Sequence, residues 1–286
     1  LNIFLSIQGR MNYSKKHQSP KAIKIDSVTF GFGGKGIAVS SPVLKEVSIE
    51  IVPGEVIGIL GPNGSGKSTL LKILMRILLP QKGIIEMFGQ PHSSLSQGEI
   101  ARRVALVPQE TQQAFPFTIN EMVLMGRYPH HSRTWGLGWE EPRDRAVVMK
   151  AMEDLDVAHL GDRLITDVSG GERQRAVIAR ALAQEPEVLL LDEPTAFLDL
   201  HHQLDIARIV RRLNKERGLT VILVSHDLNL ASQFCDRVLL LKYGEIAKIG
   251  HPKEVICREH LEPVYGCEVI IDRHPQSGMP RVTLPV

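Results

Sequence analysis

Gly61-Pro62-Asn63-Gly64-Ser65-Gly66-Lys67-Ser68-Thr69 lies between an apolar run, Val56-Ile57-Gly58-Ile59-Leu60, and the segment Leu70-Leu71-Lys72-Ile73-Leu74, whose apolar positions repeat at helical spacing. The order is buried strand, glycine-rich loop, helix start. Gly61, Gly64 and Gly66 lack a Cβ, so the backbone can bend around an anion and turn its N–H groups inward. The helix that follows adds the positive end of its dipole at the same point. Lys67 brings a mobile ammonium for the outer phosphates of a nucleotide, and the Ser68 hydroxyl can ligate Mg²⁺. A glycine-rich turn with no ligand is the competing reading. The strand–loop–helix context and the filled pattern decide for a nucleotide-phosphate loop.

The rest of the composition sets bounds. With 286 residues the chain can bury one large core or two modest ones. It is 43% apolar and 23% charged, and its net charge of +2 gives no support for a dedicated nucleic-acid surface. Cys235, Cys257 and Cys267 are odd in number and form no CxxC pair, which suits free thiols in a reducing compartment. No apolar run approaches the ~20 residues of a membrane span. The opening Leu1-Asn2-Ile3-Phe4-Leu5-Ser6-Ile7 lacks a basic lead and a small-residue cleavage site, so no secretory signal is expected. Met11 is a candidate translation start, and residues 1–20 read as a polar, disordered extension.

From residue 22 onward the pattern is that of an α/β domain. Ala22 to Phe32 alternates as a half-buried strand, Val43 to Val52 forms a second, and Ile84–Phe88 a third. Val104–Val107 is apolar, stops at Pro108 and presents Gln109. Between Thr111 and Thr166 the composition shifts, with helical patterns at Ile119–Met125 and Arg145–Leu155, so residues 111–168 read as a helical insertion. Ser169-Gly170-Gly171-Glu172 opens a helix, and its Ser-x-x-Glu spacing also satisfies a purely structural capping box. Val188–Leu191 is continuously apolar, as buried parallel strands are, and ends in Asp192-Glu193. Helix Leu200–Glu216 closes at Gly218. Strand Thr220–Val224 leads to Ser225-His226-Asp227, and residues 237–242 and 245–249 flank Tyr243-Gly244 as a hairpin. Residues 251–286 add two short helical pieces and a two-stranded end, a C-terminal extension of the same domain.

Gln109, Asp192, Glu193 and His226 all lie just past the C-terminal ends of buried strands, as the phosphate loop does. In an open parallel sheet that edge binds ligands. Carboxylates there are costly to bury without a partner, and a Mg²⁺–nucleotide complex is such a partner. Asp192 can hold the ion beside Ser68, and Glu193 can orient or deprotonate an attacking water. Alone, an Asp-Glu pair after a strand is as well explained as a helix cap, and a single His as a structural residue.

Taken together, these motifs resemble the nucleotide-binding subunit of an ABC transporter over about residues 21–250. The matching residues are the Walker A loop Gly61–Thr69, Gln109 at the Q-loop, and Val168-Ser169-Gly170-Gly171-Glu172 at the signature. Val188–Glu193 matches Walker B, Ala196-Phe197-Leu198-Asp199 the D-loop, and His226 the switch. Walker A alone would leave kinases and GTPases open. The adenine-stacking aromatic falls on Phe32, where the family usually has Tyr, and the signature departs from the commoner Leu-Ser-Gly-Gly-Gln at its two ends.

The resemblance implies a P-loop NTPase core of the ABC ATPase type, with an antiparallel β subdomain and the helical insertion. It implies ATP and Mg²⁺ as ligands, the ion held by Ser68, Gln109 and Asp192. Glu193, His226, Gln109 and Lys67 would be the catalytic set, and Asp199 part of the site. It further implies a head-to-tail homodimer in which each ATP lies between one copy's Walker A and the other's Ser169–Glu172. Such subunits sit peripherally on the cytoplasmic face of the inner membrane, on two permease subunits and, indirectly, a substrate-binding protein. Met125-Gly126-Arg127-Tyr128-Pro129-His130 and the tail around Pro263-Val264-Tyr265-Gly266 resemble importer ATPases for ferric siderophores, haem and cobalamin. A transporter for another substrate, or a non-transport ABC module, is the alternative.

Overall fold

The structure is a computed structural model and describes residues 22–33, 42–109, 116–131 and 141–285. The expected extension 1–20 lies outside the described residues. The first two strands, β1 (Ile23–Phe30) and β2 (Leu44–Ile51), bury side chains with a period of two that is broken once in each, where their pairing register shifts. Next come β3 (Val56–Leu60), buried at every position, and α1 (Lys67–Leu74), with the phosphate loop between them. β4 (Lys82–Met87) and the two-residue β5 (Gln90–Pro91) complete an antiparallel sheet in the order β2-β1-β4-β5.

Helix α2 (Gln97–Arg103) runs directly into β6 (Val104–Val107). In the insertion, α3 (Ile119–Leu124) continues as a 3₁₀ turn, Met125–His130, and α4 (Pro142–Asp154) follows. Both helices pack on α5 (Gly170–Leu182), which leads to β7 (Val188–Asp192). Then follow α6 (Leu200–Arg217), β8 (Thr220–Val224), α7 (Leu228–Phe234), β9 (Arg237–Lys242) and β10 (Glu245–Gly250). The tail comprises α8 (Pro252–Val255), α9 (Arg258–Tyr265) and the hairpin of β11 (Ile270–Arg273) with β12 (Pro280–Thr283).

The central sheet has the order β10-β9-β3-β8-β7-β6, parallel throughout except for β10 at one edge. Its parallel strands are apolar because both faces are covered, and the pleat divides them between two cores. Leu189, Leu191, Val221 and Leu223 face the helical side, where α3 to α7 lie. Leu190, Ile222, Ile57 and Ile59 face α1 and the antiparallel sheet. The α/β class with its antiparallel subdomain is the one expected.

Two helices were not anticipated, α2 and α7. Each has seven residues, two turns, too short for apolar periodicity to stand out. The signal for α2 was its capping box, Ser96 with Glu99, and for α7 the Asp227 side chain that accepts from the Leu230 N–H. The Tyr243-Gly244 turn has φ of 50° and 82°, the left-handed pair that a two-residue hairpin between right-twisted strands requires.

The Met125–His130 stretch is a staple. Gly126 comes so close to α5 that a Cβ would fall 2.1 Å from the Arg180 carbonyl oxygen. Arg127 is buried and donates to Asp144 at 2.7 Å, to the Ala183 carbonyl at 2.7 Å and to Glu185 at 2.8 Å. It thereby ties the 3₁₀ turn to α4 and to the loop before β7.

Candidate nucleotide-binding site

Four loops leave the C-terminal edge of the parallel strands side by side. After β3 comes Gly61, with φ of 151° and room for no side chain, since a Cβ would lie 2.1 Å from the Leu241 carbonyl oxygen. The loop closes on Gly66, the N-cap of α1, so that helix aims its positive end into the cradle. Lys67, expected as a mobile ammonium for the outer phosphates, is held by the loop itself. It is buried, and its Nζ donates to the carbonyls of Gly61 at 2.8 Å and Pro62 at 3.0 Å. Burial lowers its pKa, an effect opposed by the charges of Glu193 and Asp192.

The Ser68 hydroxyl donates to Asp192 Oδ1 at 3.1 Å, joining residues 124 apart in sequence. Burial is the main cause that pushes the Asp192 pKa up, with the Glu193 charge adding to it against the Ser68 hydrogen bond and the Lys67 charge. Ser68 and Asp192 are hard oxygen donors, and Asp192 is a half-buried carboxylate in want of positive charge. This pair fits Mg²⁺. Gln109 is turned elsewhere: its Nε2 donates to Glu193 Oε2 at 2.8 Å. The other Glu193 oxygen, Oε1, accepts from His226 Nε2 at 2.7 Å. Glu193 itself has φ of 50°, a left-handed conformation unusual for a non-glycine residue, with its N–H bonded to the Val224 carbonyl at 2.9 Å.

The remaining candidates lie apart from this cluster. Phe32 is 63% exposed and stands edge-on to Phe30 at 5.1 Å, a flat surface open to a base. Ser169 caps α5: its Oγ accepts from the Glu172 N–H at 3.3 Å and donates to Glu172 Oε2 at 2.7 Å. The Ser169 hydroxyl and the Ser169 backbone N–H, both donating to Glu172 Oε2, hold that carboxyl below its ordinary pKa. Ser169 and Gly170 are exposed. Among the described residues no hydrogen bond joins Ser169–Glu172 to Gly61–Thr69. Asp199 caps α6 by accepting from the His202 N–H at 3.0 Å, and that bond is the main cause of its lowered pKa.

Two contacts were missed by sequence reasoning. The His202 ring lies over Gly171, where a Cβ would be 2.5 Å from its Cγ. The Tyr265 phenol is buried beside Gly61, and burial pushes its pKa up to about 12. Both partners are distant in sequence, and no local pattern announces either pairing.

The model of the ABC transporter family matches residues 44–196. The chain belongs to that family. It is an ATP-binding, ATP-hydrolysing ABC subunit. It is 44% identical over 247 residues to the hemin import ATP-binding protein HmuV of Gloeobacter violaceus, covering 84% of this chain and 88% of that one. It is 37% identical over 265 residues to the ferric enterobactin transport ATP-binding protein FepC of Escherichia coli, covering 93% and 94%. Among solved structures, a chain of an ABC transporter assigned to the metal-chelate type, in an inward-facing conformation, matches with a TM-score of 0.79 at 28% identity. That match covers 92% of this ABC subunit and 97% of the other chain.

Proposed function

We propose that this ABC subunit powers the import of an iron chelate, a ferric siderophore or haem, from the cytoplasmic face of the cell membrane. Two copies would work beneath two permease subunits that receive cargo from a substrate-binding protein. The observation that carries the dimer is the unlinked pair of anion cradles. The Ser169–Gly170 end of α5 faces solvent and makes no hydrogen bond to the phosphate loop of its own chain, among the described residues. ATP held on Gly61–Thr69 therefore has one face open to a second copy's signature. The import titles of HmuV and FepC support the cargo class. No helix of the described residues is long and apolar enough to cross a membrane, so passage of cargo would fall to partners.

In this reading Ser68 and Asp192 hold Mg²⁺, with Gln109 able to join them once it leaves Glu193. The ion, when bound, supplies charge neutralisation at the phosphates. Lys67 exchanges two loop carbonyls for phosphate oxygens, and Glu193, oriented by His226, accepts a proton from the attacking water. Phe32 offers a stacking face for adenine, and Asp199 shapes the loop that meets the second copy.

The test is reconstitution in vesicles with a permease that copurifies with this chain, together with a matching binding protein. ATP-driven uptake of a ferric siderophore or hemin is expected, with ATP turnover rising when the permease is added. Failure to copurify with any polytopic membrane protein would overturn the transport role. Uptake of a metal-free substrate alone would overturn the cargo.

A further inference from the structure

We propose that the first turns of α6 carry a binding site for a divalent first-row transition-metal ion, built from His201, His202 and Asp205. It is separate from the Mg²⁺–nucleotide centre and does not depend on what the transporter carries.

Each of the three residues offers one ligand atom, and these atoms lie within 4.8 Å of one another. His201 and Asp205 are four residues apart, so they share one face of the helix. His201 Nε2 and Asp205 Oδ2 are 3.3 Å apart. Two ligands bound tetrahedrally at ordinary metal–nitrogen and metal–oxygen lengths are separated by about 3.3 Å. His202 is adjacent in sequence, and its ring centroid is 5.4 Å from that of His201.

The ring of His202 is also held in place before any ion arrives. The backbone of Gly171 lies beneath it, and the backbone N–H of His202 donates to Asp199 Oδ1. Its buried Nδ1 has no hydrogen-bond partner, so that nitrogen is not committed elsewhere. Asp199 Oδ2 is 4.0 Å from His202 Nε2, an additional carboxylate at the margin of the cluster. The helix fixes the backbone of all three residues, and the held His202 ring loses little freedom on binding.

Two imidazoles with one carboxylate select the class of ion. Such a set suits Fe²⁺, Co²⁺, Ni²⁺ or Zn²⁺, whereas Mg²⁺ and Ca²⁺ prefer oxygen ligands. Three protein ligands leave positions for water. The ion would tie the start of α6 to the ring that rests on the signature glycine. It would thus stiffen the junction of D-loop and signature.

The experiment titrates Co²⁺ into the untagged, nucleotide-free chain and follows ligand-field absorption, then displaces it with Zn²⁺ and, separately, with excess Mg²⁺. Saturable absorption that Zn²⁺ removes and Mg²⁺ does not is expected. His201→Ala and Asp205→Asn should each weaken Co²⁺ binding at least 10-fold, since even outer-sphere changes at metal sites cost 10–100-fold. The His201 side chain is largely exposed and that of Asp205 is half-buried with its carboxylate on the helix surface, and Asp205→Asn keeps its shape, so each variant should fold, checked by an unchanged thermal melt without metal. No absorption in the parent chain, unchanged affinity in either variant, or equal displacement by Mg²⁺ would overturn the site.

Discussion

Glu193 has both carboxylate oxygens engaged, one by Gln109 and one by His226, on a left-handed backbone that few residues tolerate. An arrangement that strained is held by its surroundings, and it aims the carboxylate at the edge where the phosphate loop opens. Glu193→Gln keeps the shape and removes the basicity. It should lower ATP turnover by about 10²–10⁴-fold while nucleotide binding persists. Steady-state hydrolysis beside equilibrium nucleotide binding checks both halves, and full turnover would remove Glu193 from the role. Asp192 gives a pH prediction with a definite sign. Burial raises its pKa, so as pH falls it protonates earlier than an ordinary carboxyl. A protonated Asp192 cannot hold a cation, so Mg²⁺–nucleotide affinity should fall with pH through that raised pKa. Asp192→Asn should bind more weakly and lose that part of the pH dependence, measured by calorimetry across a pH series. The positions of Gln109, Asp192, Glu193 and His226 past strand ends were legible in sequence. Their partnerships were not, because Gln109 meets Glu193 across 84 residues and only the sheet order makes them neighbours.

Among the elements, the 3₁₀ turn Met125–His130 has its energetics concentrated in one side chain. Arg127 and Asp144 are 3% and 6% exposed and 2.7 Å apart. Removing one member of such a pair strands the other as a buried charge, which costs about 3–5 kcal/mol. Arg127→Met should lower stability by about that much in denaturant unfolding. The pH dependence has a sign too. Burial raises the Asp144 pKa, but the hydrogen bonds from Arg127 and the Glu141 N–H outweigh it and hold the carboxyl below its ordinary range. A depressed folded pKa contributes stability in full above the unfolded value, about 4, and loses it as pH falls through the folded one. The parent chain should therefore lose this contribution on acidification below about pH 4, and Arg127→Met should have little of it to lose. A variant as stable as the parent at neutral pH would show that the staple carries no load. The Met125–His130 motif was visible in sequence as a family resemblance. Its physical reason was not, since Asp144, Ala183 and Glu185 come from two other parts of the chain. Long elements such as α6, with its 18 residues and terminal Gly218, were legible because propensity, period and cap agree. The seven-residue α2 and α7 depend on packing between neighbours more than on their own pattern.

At the scale of the whole molecule, one face carries apolar groups that the chain leaves uncovered. Phe197 is 89% exposed and Leu200 71%, and between them Asp199 caps α6. Leu198 packs toward Gly170, so this loop and the exposed signature form one continuous surface. Large side chains left in water beside a half-built anion cradle mark a surface made for a partner. A twofold dimer places each such residue at the interface twice. Full burial of a large apolar side chain contributes about 1.5–3 kcal/mol, and every 1.4 kcal/mol is about tenfold in affinity. In the Glu193→Gln background, ATP should convert monomer to dimer, read by light scattering after gel filtration. Phe197→Asp in that background should weaken the dimer by about 100-fold or more, since two copies lose the contact. Its affinity for ATP as a monomer should stay unchanged, because Phe197 follows Walker B by four residues and the phosphate loop is built without it. If Phe197→Asp dimerised as readily as its parent, the two copies would meet through some other face. If the Glu193→Gln chain stayed monomeric at saturating ATP, the cradle on α5 would need another anion to explain it.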